Sequence, residues 1–137
     1  MIATMKYLLR GALMLWLMSG VAACALKSHG IVRMQRSYDE AFAASLMAIQ
    51  EAEFIVTSQH PATGTIMAEK RLPEAEGRVI QMTVRFTRAP TGITVIATVV
   101  APAGTLATGE KPCKCHVKRF VAALEQRMPD VQVVSIQ

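Results

Sequence analysis

Hydrophobic and polar residues alternate most regularly in the middle of the chain. In the segment RVIQMTVRFTR (78–88) every second residue is apolar, and this period of two predicts a half-buried β-strand. Its buried side chains would be Ile80, Met82, Val84 and Phe86. The segment ITVIATVVA (93–101) follows a turn, APTG, and is rich in β-branched residues. The two segments therefore predict the antiparallel centre of a sheet.

Shorter segments predict the remaining strands. FIVTS (54–58) and TIMAEKR (65–71) have strand composition and are joined by QHPATG, whose proline and glycine are typical of a turn, so they predict a second hairpin. GIVRMQR (30–36) carries a weaker strand signal at the start of the domain. VQVVSI (131–136) predicts a last short strand at an edge of the sheet.

Two segments have the period of an amphipathic α-helix. The first, 37–53, begins with Ser37 as its predicted N-cap, and Glu40 stands where it would complete a capping box. Its apolar stripe consists of Tyr38, Phe42, Leu46 and Ile49. The second helix follows a long loop (102–112) and ends before Pro129. Its stripe consists of Val117, Phe120, Val121, Leu124 and Met128.

The order of these elements predicts the fold class. Strand, helix, four strands and helix, with a last short strand, indicate a two-layer α+β domain in which two helices pack on one face of an antiparallel sheet. We expect one such domain over residues 30–137, because a chain of this length buries one modest core.

The N-terminus has the layout of an export signal. Lys6 and Arg10 form its basic region, residues 11–21 are apolar, and two alanines follow. The apolar run is short for a transmembrane helix, which needs about 20 apolar residues. Residues 1–23 are therefore predicted to be a signal peptide that is removed.

The segment VAAC (21–24) ends the apolar run and resembles the lipobox of bacterial lipoproteins, an aliphatic residue and two small residues before a cysteine. The resemblance implies cleavage between Ala23 and Cys24, a diacylglycerol on the Cys24 thiol and acylation of the new amino group. Two or three acyl chains make a stable anchor, whereas one chain binds marginally. The alternative is an ordinary cleaved signal.

The residue after the cysteine is Ala25. In enterobacteria-like lipoproteins an aspartate at this position favours the inner membrane, so the resemblance implies a site in the outer membrane, facing the periplasm. Residues 24–29 would form the lipidated N-terminus and a short tether, which would keep the domain close to the membrane surface.

Charge and chemistry exclude several functions. The formal net charge is +5, and the signal peptide itself contributes Lys6 and Arg10, so neither the charge nor the compartment favours nucleic acid. His29, His60 and His116 fall in the tether, in a turn and at a helix start, and none belongs to a recognised catalytic motif. We expect no enzymatic activity and no cofactor.

The segment KPCKCHVKR (111–119) is chemically unusual. After lipidation of Cys24, the thiols of Cys113 and Cys115 remain in an oxidising compartment, where a disulfide between them, free thiols and pairing with a partner are all open interpretations. A further alternative is a metal site of Cys113, Cys115 and His116, which would need a fourth ligand from His29 or His60.

The same segment concentrates basic residues at a helix N-terminus. They are Lys111, Lys114, Lys118 and Arg119. The helix dipole there favours negative charge, and like charges four residues apart are mildly destabilising. An anionic partner, such as lipid headgroups or an acidic protein surface, is one interpretation, and a solvated basic surface is the other.

The domain as a whole resembles small envelope lipoproteins of uncharacterised function in Gram-negative bacteria, through segments such as SYDEAF, FIVTSQHPATGTIMAEKR and TGITVIATV. More distantly it is similar to helix-grip, TBP-like modules in an accessory lipoprotein of the β-barrel assembly machine. The resemblance carries over no functional residue except Cys24, because fold analogy does not give function. The anchor, the short tether and the lack of a catalytic set favour a membrane-anchored binding or structural module for envelope assembly or maintenance, with an envelope protein as partner. The alternative is a thiol- or metal-handling periplasmic lipoprotein that uses Cys113, Cys115 and His116.

Overall fold

Six antiparallel strands form one sheet, and two helices pack on one of its faces. A computed structural model describes residues 26–72, 78–101 and 112–137. The elements, in chain order, are β1 (Leu26–Met34), α1 (Tyr38–Glu51), β2 (Ile55–His60), β3 (Thr65–Leu72), β4 (Arg78–Ala89), β5 (Gly92–Ala101), α2 (Pro112–Arg127) and β6 (Gln132–Ile136). This is the predicted two-layer α+β fold, and the last short strand is present.

The strands lie in the order β2-β3-β4-β5-β1-β6. Strands β2 to β5 are consecutive neighbours, as expected for two hairpins joined in sequence. Strand β1 pairs with β5 and also with β6, so the first strand of the domain lies inside the sheet and the last strand forms an edge. The N-terminal segment of the domain is therefore held on both sides by backbone hydrogen bonds.

The core lies between the sheet and the helices. All four predicted inward residues of β4 are at most 8% exposed, and the stripes of both helices are buried with the exception of half-buried Tyr38 and Leu46. The Ser37 side chain accepts a hydrogen bond from the backbone N–H of Glu40, which starts α1 as the capping pattern predicts. One face of each of these elements is buried, which is why the periodicity of the sequence predicted most of the buried residues correctly.

Strand β1 begins at Leu26, which corrects the expectation that residues 24–29 form a tether and that the first strand starts at residue 30. The inward positions of this stretch are Ser28 and Gly30, neither of which has a hydrophobic side chain, so its alternation is invisible in a hydropathy pattern. The buried Ser28 hydroxyl donates to the backbone carbonyl of Gln137, and His29 exchanges two backbone hydrogen bonds with the same residue. Only Ala25 separates this strand from Cys24.

The antiparallel register defines the two ends of the sheet. Leu26 pairs with Ala101, and β4 and β3 continue this end, so that it also contains Leu72, the last residue of β3. We call it the proximal end, because it is nearest in sequence to Cys24. The opposite, distal end contains Met34 and Ile93. Within the described residues, neither helix is long and apolar enough to cross a membrane.

Candidate functional site

The outer face of the sheet is the first candidate surface. Both helices of the described part lie on the inner face, and the outward side chains of the strands are exposed or half-buried. The half-buried aliphatic positions are Ile31, Val79, Ile96 and Val100. They are surrounded by Thr65, Thr83, Thr87, Thr94 and Thr98. This open face is thus flat, mildly apolar at its centre and rich in hydroxyl groups.

The open face is also basic. Its described charged side chains are Lys27, Arg33, Arg71, Arg85 and Glu69. They lie on three strands, since Lys27 and Arg33 belong to β1, Arg85 to β4, and the other two to β3. His29 lies on the same face, where its Nδ1 is 3.1 Å from the Thr98 hydroxyl. The excess of cations suits an anionic or acidic partner.

The second candidate is a groove of about 560 Å³ at the proximal end. It lies where the end of α1, the start of β2, the end of β3 and the first turns of α2 meet. Its lining residues are Glu53, Ile55, Lys70, Arg71, Leu72, Cys115, His116 and Arg119. The side chains supply three cations and one carboxylate, so the described groove is basic.

Lys70 forms the floor of this groove. Its side chain is 12% exposed, its Nζ is 3.5 Å from a Glu53 carboxylate oxygen, and it also donates to the backbone carbonyl of Ala52 at 3.4 Å. The same Nζ lies 5.6 Å from the ring centroid of Phe54, a cation–π distance. Lys70 is therefore held in place by neighbours, while Arg71 and Arg119 are exposed at the rim.

The predicted basic cluster contributes one described residue to the groove. Arg119 lines the groove, whereas Lys114 and Lys118 are not among its described lining residues. Positions three to four apart share a helix face, so Cys115 has both Lys118 and Arg119 as helix neighbours, and Lys118 also lies beside Lys114. Lys111 lies outside the described residues. The basic cluster as an anionic-partner site therefore stays a prediction, and the groove adds two residues of β3, Lys70 and Arg71, to Arg119.

The cysteines and histidines are placed as follows. Cys115 carries an exposed thiol that lines the groove. The backbone of Cys113 belongs to the first turn of α2, but its side chain lies outside the described residues, so the disulfide stays a prediction. His116 is 7% exposed, and its ring packs edge to face on Phe54 at a centroid distance of 5.7 Å. Cys24 also lies outside the described residues.

Both histidines that were expected to supply a fourth metal ligand lie away from α2. His29 lies on the open face, opposite to α2, because it alternates with the inward Ser28. His60 ends β2 at the distal end, in a hairpin turn. No three described His, Cys, Asp or Glu side chains form a group that could hold a metal ion.

A further depression, of about 470 Å³, lies at the distal end and includes Arg33, Gly92 and Asp130. Asp130 is already engaged, since Arg36 donates to its carboxylate at 3.0 Å. These hydrogen bonds and the charge of the guanidinium hold the pKa of Asp130 below its ordinary value and raise that of Arg36. This pair fastens the start of α1 to the turn between α2 and β6, so we assign it a structural role.

Comparisons with known proteins describe the fold. No protein-family model matches the chain, and no curated protein does. Among 17 matching chains of solved structures is the crystal structure of the adenylate sensor from AMP-activated protein kinase in complex with 5-aminoimidazole-4-carboxamide 1-beta-D-ribofuranotide (ZMP). Its TM-score is 0.50 at 16% sequence identity, and the match covers 67% of this chain and 92% of that chain. At this identity the likeness concerns the arrangement of sheet and helices alone.

Proposed function

We propose that the chain is a lipoprotein anchored through Cys24 in the outer membrane, facing the periplasm, and that it acts as a binding or structural module in envelope assembly or maintenance. The observation that carries the proposal is the start of the sheet at Leu26, two residues after the cysteine of the VAAC motif. A sheet that starts so close to an acylated residue has no stalk.

The short connection limits where the domain works. Two residues of extended chain span at most about 7 Å, so the proximal end of the sheet stays at the membrane surface. Partners are then confined to that surface, where tethering raises the effective concentration and makes weak contacts productive. This geometry favours a partner that is itself in or on the membrane.

The open face is the surface that we assign to a protein partner. It combines half-buried aliphatic side chains with hydroxyl groups and an excess of basic residues, a composition that suits a polar, non-obligate interface. Its cations would complement an acidic envelope protein. An enzymatic role has no support from the described site residues. For a thiol- or metal-handling role, the described residues offer exposed Cys115 and a His116 that is packed on Phe54, while the Cys113 side chain lies outside them.

The test is site-specific photocrosslinking of the lipidated chain in its own envelope. A photoreactive residue at Thr83, at the centre of the open face, should capture an acidic protein, whereas the same residue at exposed Gln126 on α2 should not. Arg85→Glu should weaken the Thr83 adduct, and Lys118→Glu, a matched charge reversal on the helix layer, should leave it unchanged.

Two results would contradict this assignment. One is an adduct of equal strength from Gln126, which would indicate capture without a preferred face. The other is a Thr83 adduct that is insensitive to Arg85→Glu, which would show that the charge of the open face takes no part in binding.

A further inference from the structure

We propose that the basic groove at the proximal end binds the phosphate of anionic phospholipid headgroups in the same membrane that holds Cys24. The inference rests on the proposed function, since it takes the anchor at Cys24 as given. The groove would be a second contact between domain and membrane besides the acyl chains, and of its basic residues only Arg71 also belongs to the open face. Its residues are Lys70, Arg71 and Arg119.

The charges of the groove select an anion. Lys70 is compensated by Glu53 at 3.5 Å, which leaves the two guanidinium groups of Arg71 and Arg119 to recognise a ligand. Guanidinium groups present several N–H donors in one plane and bind phosphate oxygens in pairs. Because Lys70 is held by neighbouring groups, the groove keeps its shape without a ligand and little side-chain entropy is lost at its floor on binding.

The register of the sheet places the groove at the level of the headgroups. Lys27 and Gln81 both pair with Val100, and Gln81 pairs with Glu69, so Lys27 and Glu69 share one row across the sheet. Arg71 is two residues further toward the proximal end, roughly 7 Å beyond that row. It therefore lies one strand position beyond the level of Leu26, the first described residue of β1.

The groove is also close to β1 in the direction across the strands. Strands β1 and β3 are separated by β5 and β4, and three strand spacings amount to about 14 Å. The headgroup region on each side of a bilayer is roughly 5 to 8 Å thick. A groove at the proximal end, about 14 Å to the side of β1, can reach the phosphates of lipids that surround an acylated residue two positions before this strand.

The rim of the groove is compatible with this environment. Ile55 is 73% exposed, which is unusual for a large aliphatic side chain, and it lines the groove beside the basic residues. Basic and aliphatic side chains together are typical of surfaces that lie in the interface of a membrane. The volume of about 560 Å³ is also within the range of sites for small polar molecules.

The test uses Cys115, whose exposed thiol lines the groove and is covered when a headgroup binds. The full-length protein, purified from membranes with Cys113→Ser to leave one reporter thiol, is placed in vesicles of phosphatidylcholine alone or mixed with phosphatidylglycerol. The rate of labelling by a neutral maleimide is then compared. A basic side chain near an anionic surface contributes about 1 kcal/mol, or roughly fivefold in affinity. For the two arginines together this amounts to about 2 kcal/mol, so we expect phosphatidylglycerol to slow labelling by roughly 30-fold.

Paired variants show whether the groove is responsible. Arg71→Gln with Arg119→Gln should abolish the difference between the two vesicle types. Arg33→Gln with Arg88→Gln removes the same charge at the distal end and should leave the protection intact. The proposal would be overturned if Cys115 stays protected in Arg71→Gln with Arg119→Gln. It would also be overturned if the distal pair of variants loses the protection to the same extent. Circular dichroism of each variant ensures that a loss reflects binding and not unfolding.

Two further measurements are needed. One distinguishes lipid phosphate from free phosphate, and the other distinguishes failure of the headgroup site from failure of the anchor at Cys24. Inorganic phosphate added to phosphatidylcholine vesicles should not protect Cys115, and equal protection would replace the lipid by a free phosphate. The mass of the purified chain shows independently whether Cys24 is acylated. A chain without acyl groups contradicts the proposed anchor, whereas an acylated chain that phosphatidylglycerol does not protect contradicts the headgroup site alone.

Discussion

Gly30 offers a direct test of how closely β1 and α2 approach each other. A Cβ atom at this position would lie 2.6 Å from Cγ1 of Val117 and 3.5 Å from Cγ2 of Val121. Val117 is fully buried, and a valine in a helix has one strongly preferred rotamer, so its methyl group cannot swing away. Overpacking of this kind costs about 1 to 3 kcal/mol, while alanine regains about 0.5 to 1 kcal/mol of backbone entropy relative to glycine. Gly30→Ala should therefore lower the free energy of unfolding by roughly 0.5 to 2 kcal/mol.

A double-mutant cycle identifies the clash as the cause. Val117→Ala alone should cost about 2 kcal/mol, because it removes buried methyl groups and leaves a cavity. In the double variant the new methyl group at residue 30 fills part of that cavity. The loss of stability in the double variant should therefore be about 1 kcal/mol smaller than the sum of the two single losses. Val121→Ala is the matched control, since an ordinary contact of 3.5 Å predicts little coupling.

The assay is urea denaturation of the chain from residue 24 onward, without acyl groups, followed by circular dichroism. Each variant gives a free energy of unfolding from the midpoint and slope of its transition. A neutral or stabilising Gly30→Ala, or a cycle with Val117→Ala that is additive within about 0.5 kcal/mol, would refute the packing of α2 on the early part of β1.

Two further predictions concern stability. Leu124→Ala should cost about 2 to 5 kcal/mol because the side chain is fully buried, whereas Leu46→Ala should cost less than half as much because Leu46 is only partly buried, and urea denaturation compares them. Asp130→Asn should lower stability at neutral pH. The Arg36 guanidinium holds the pKa of Asp130 below its ordinary 3.8, so this stabilisation is complete above that value and is lost as the pH falls through the lowered pKa. The difference between wild type and Asp130→Asn should therefore disappear in strong acid, and a constant difference down to the lowest pH would contradict the role of the carboxylate charge.

Long segments with one buried face were predictable from the sequence. The alternation around Val84 and the helical stripe around Leu124 each extend over many residues, and in both cases the repeating positions are buried in the structure. The N-cap at Ser37 was predictable because its hydrogen bond is local. Apolar periodicity arises from burial of one face, so it predicts an element correctly wherever that face packs against a hydrophobic neighbour.

The start of β1 and the composition of the groove were not predictable in the same way. Ser28 and Gly30 point inward without a hydrophobic side chain, and Val117 of α2 fills the space beside Gly30. The groove joins Arg71 to Arg119, two residues far apart in sequence whose proximity depends on where α2 crosses the sheet. A local charge pattern detects neighbours along the chain, whereas this site is created by tertiary packing.

The most direct test of the proposed function is the chemical state of Cys24 in cells that express the full chain. The account predicts that an alkyne-tagged fatty acid labels the wild-type protein, that the mature chain begins at Cys24 with a mass that includes the acyl groups, and that Cys24→Ser abolishes the label. A mature chain that begins at another residue, or that carries no acyl group on Cys24, would contradict it.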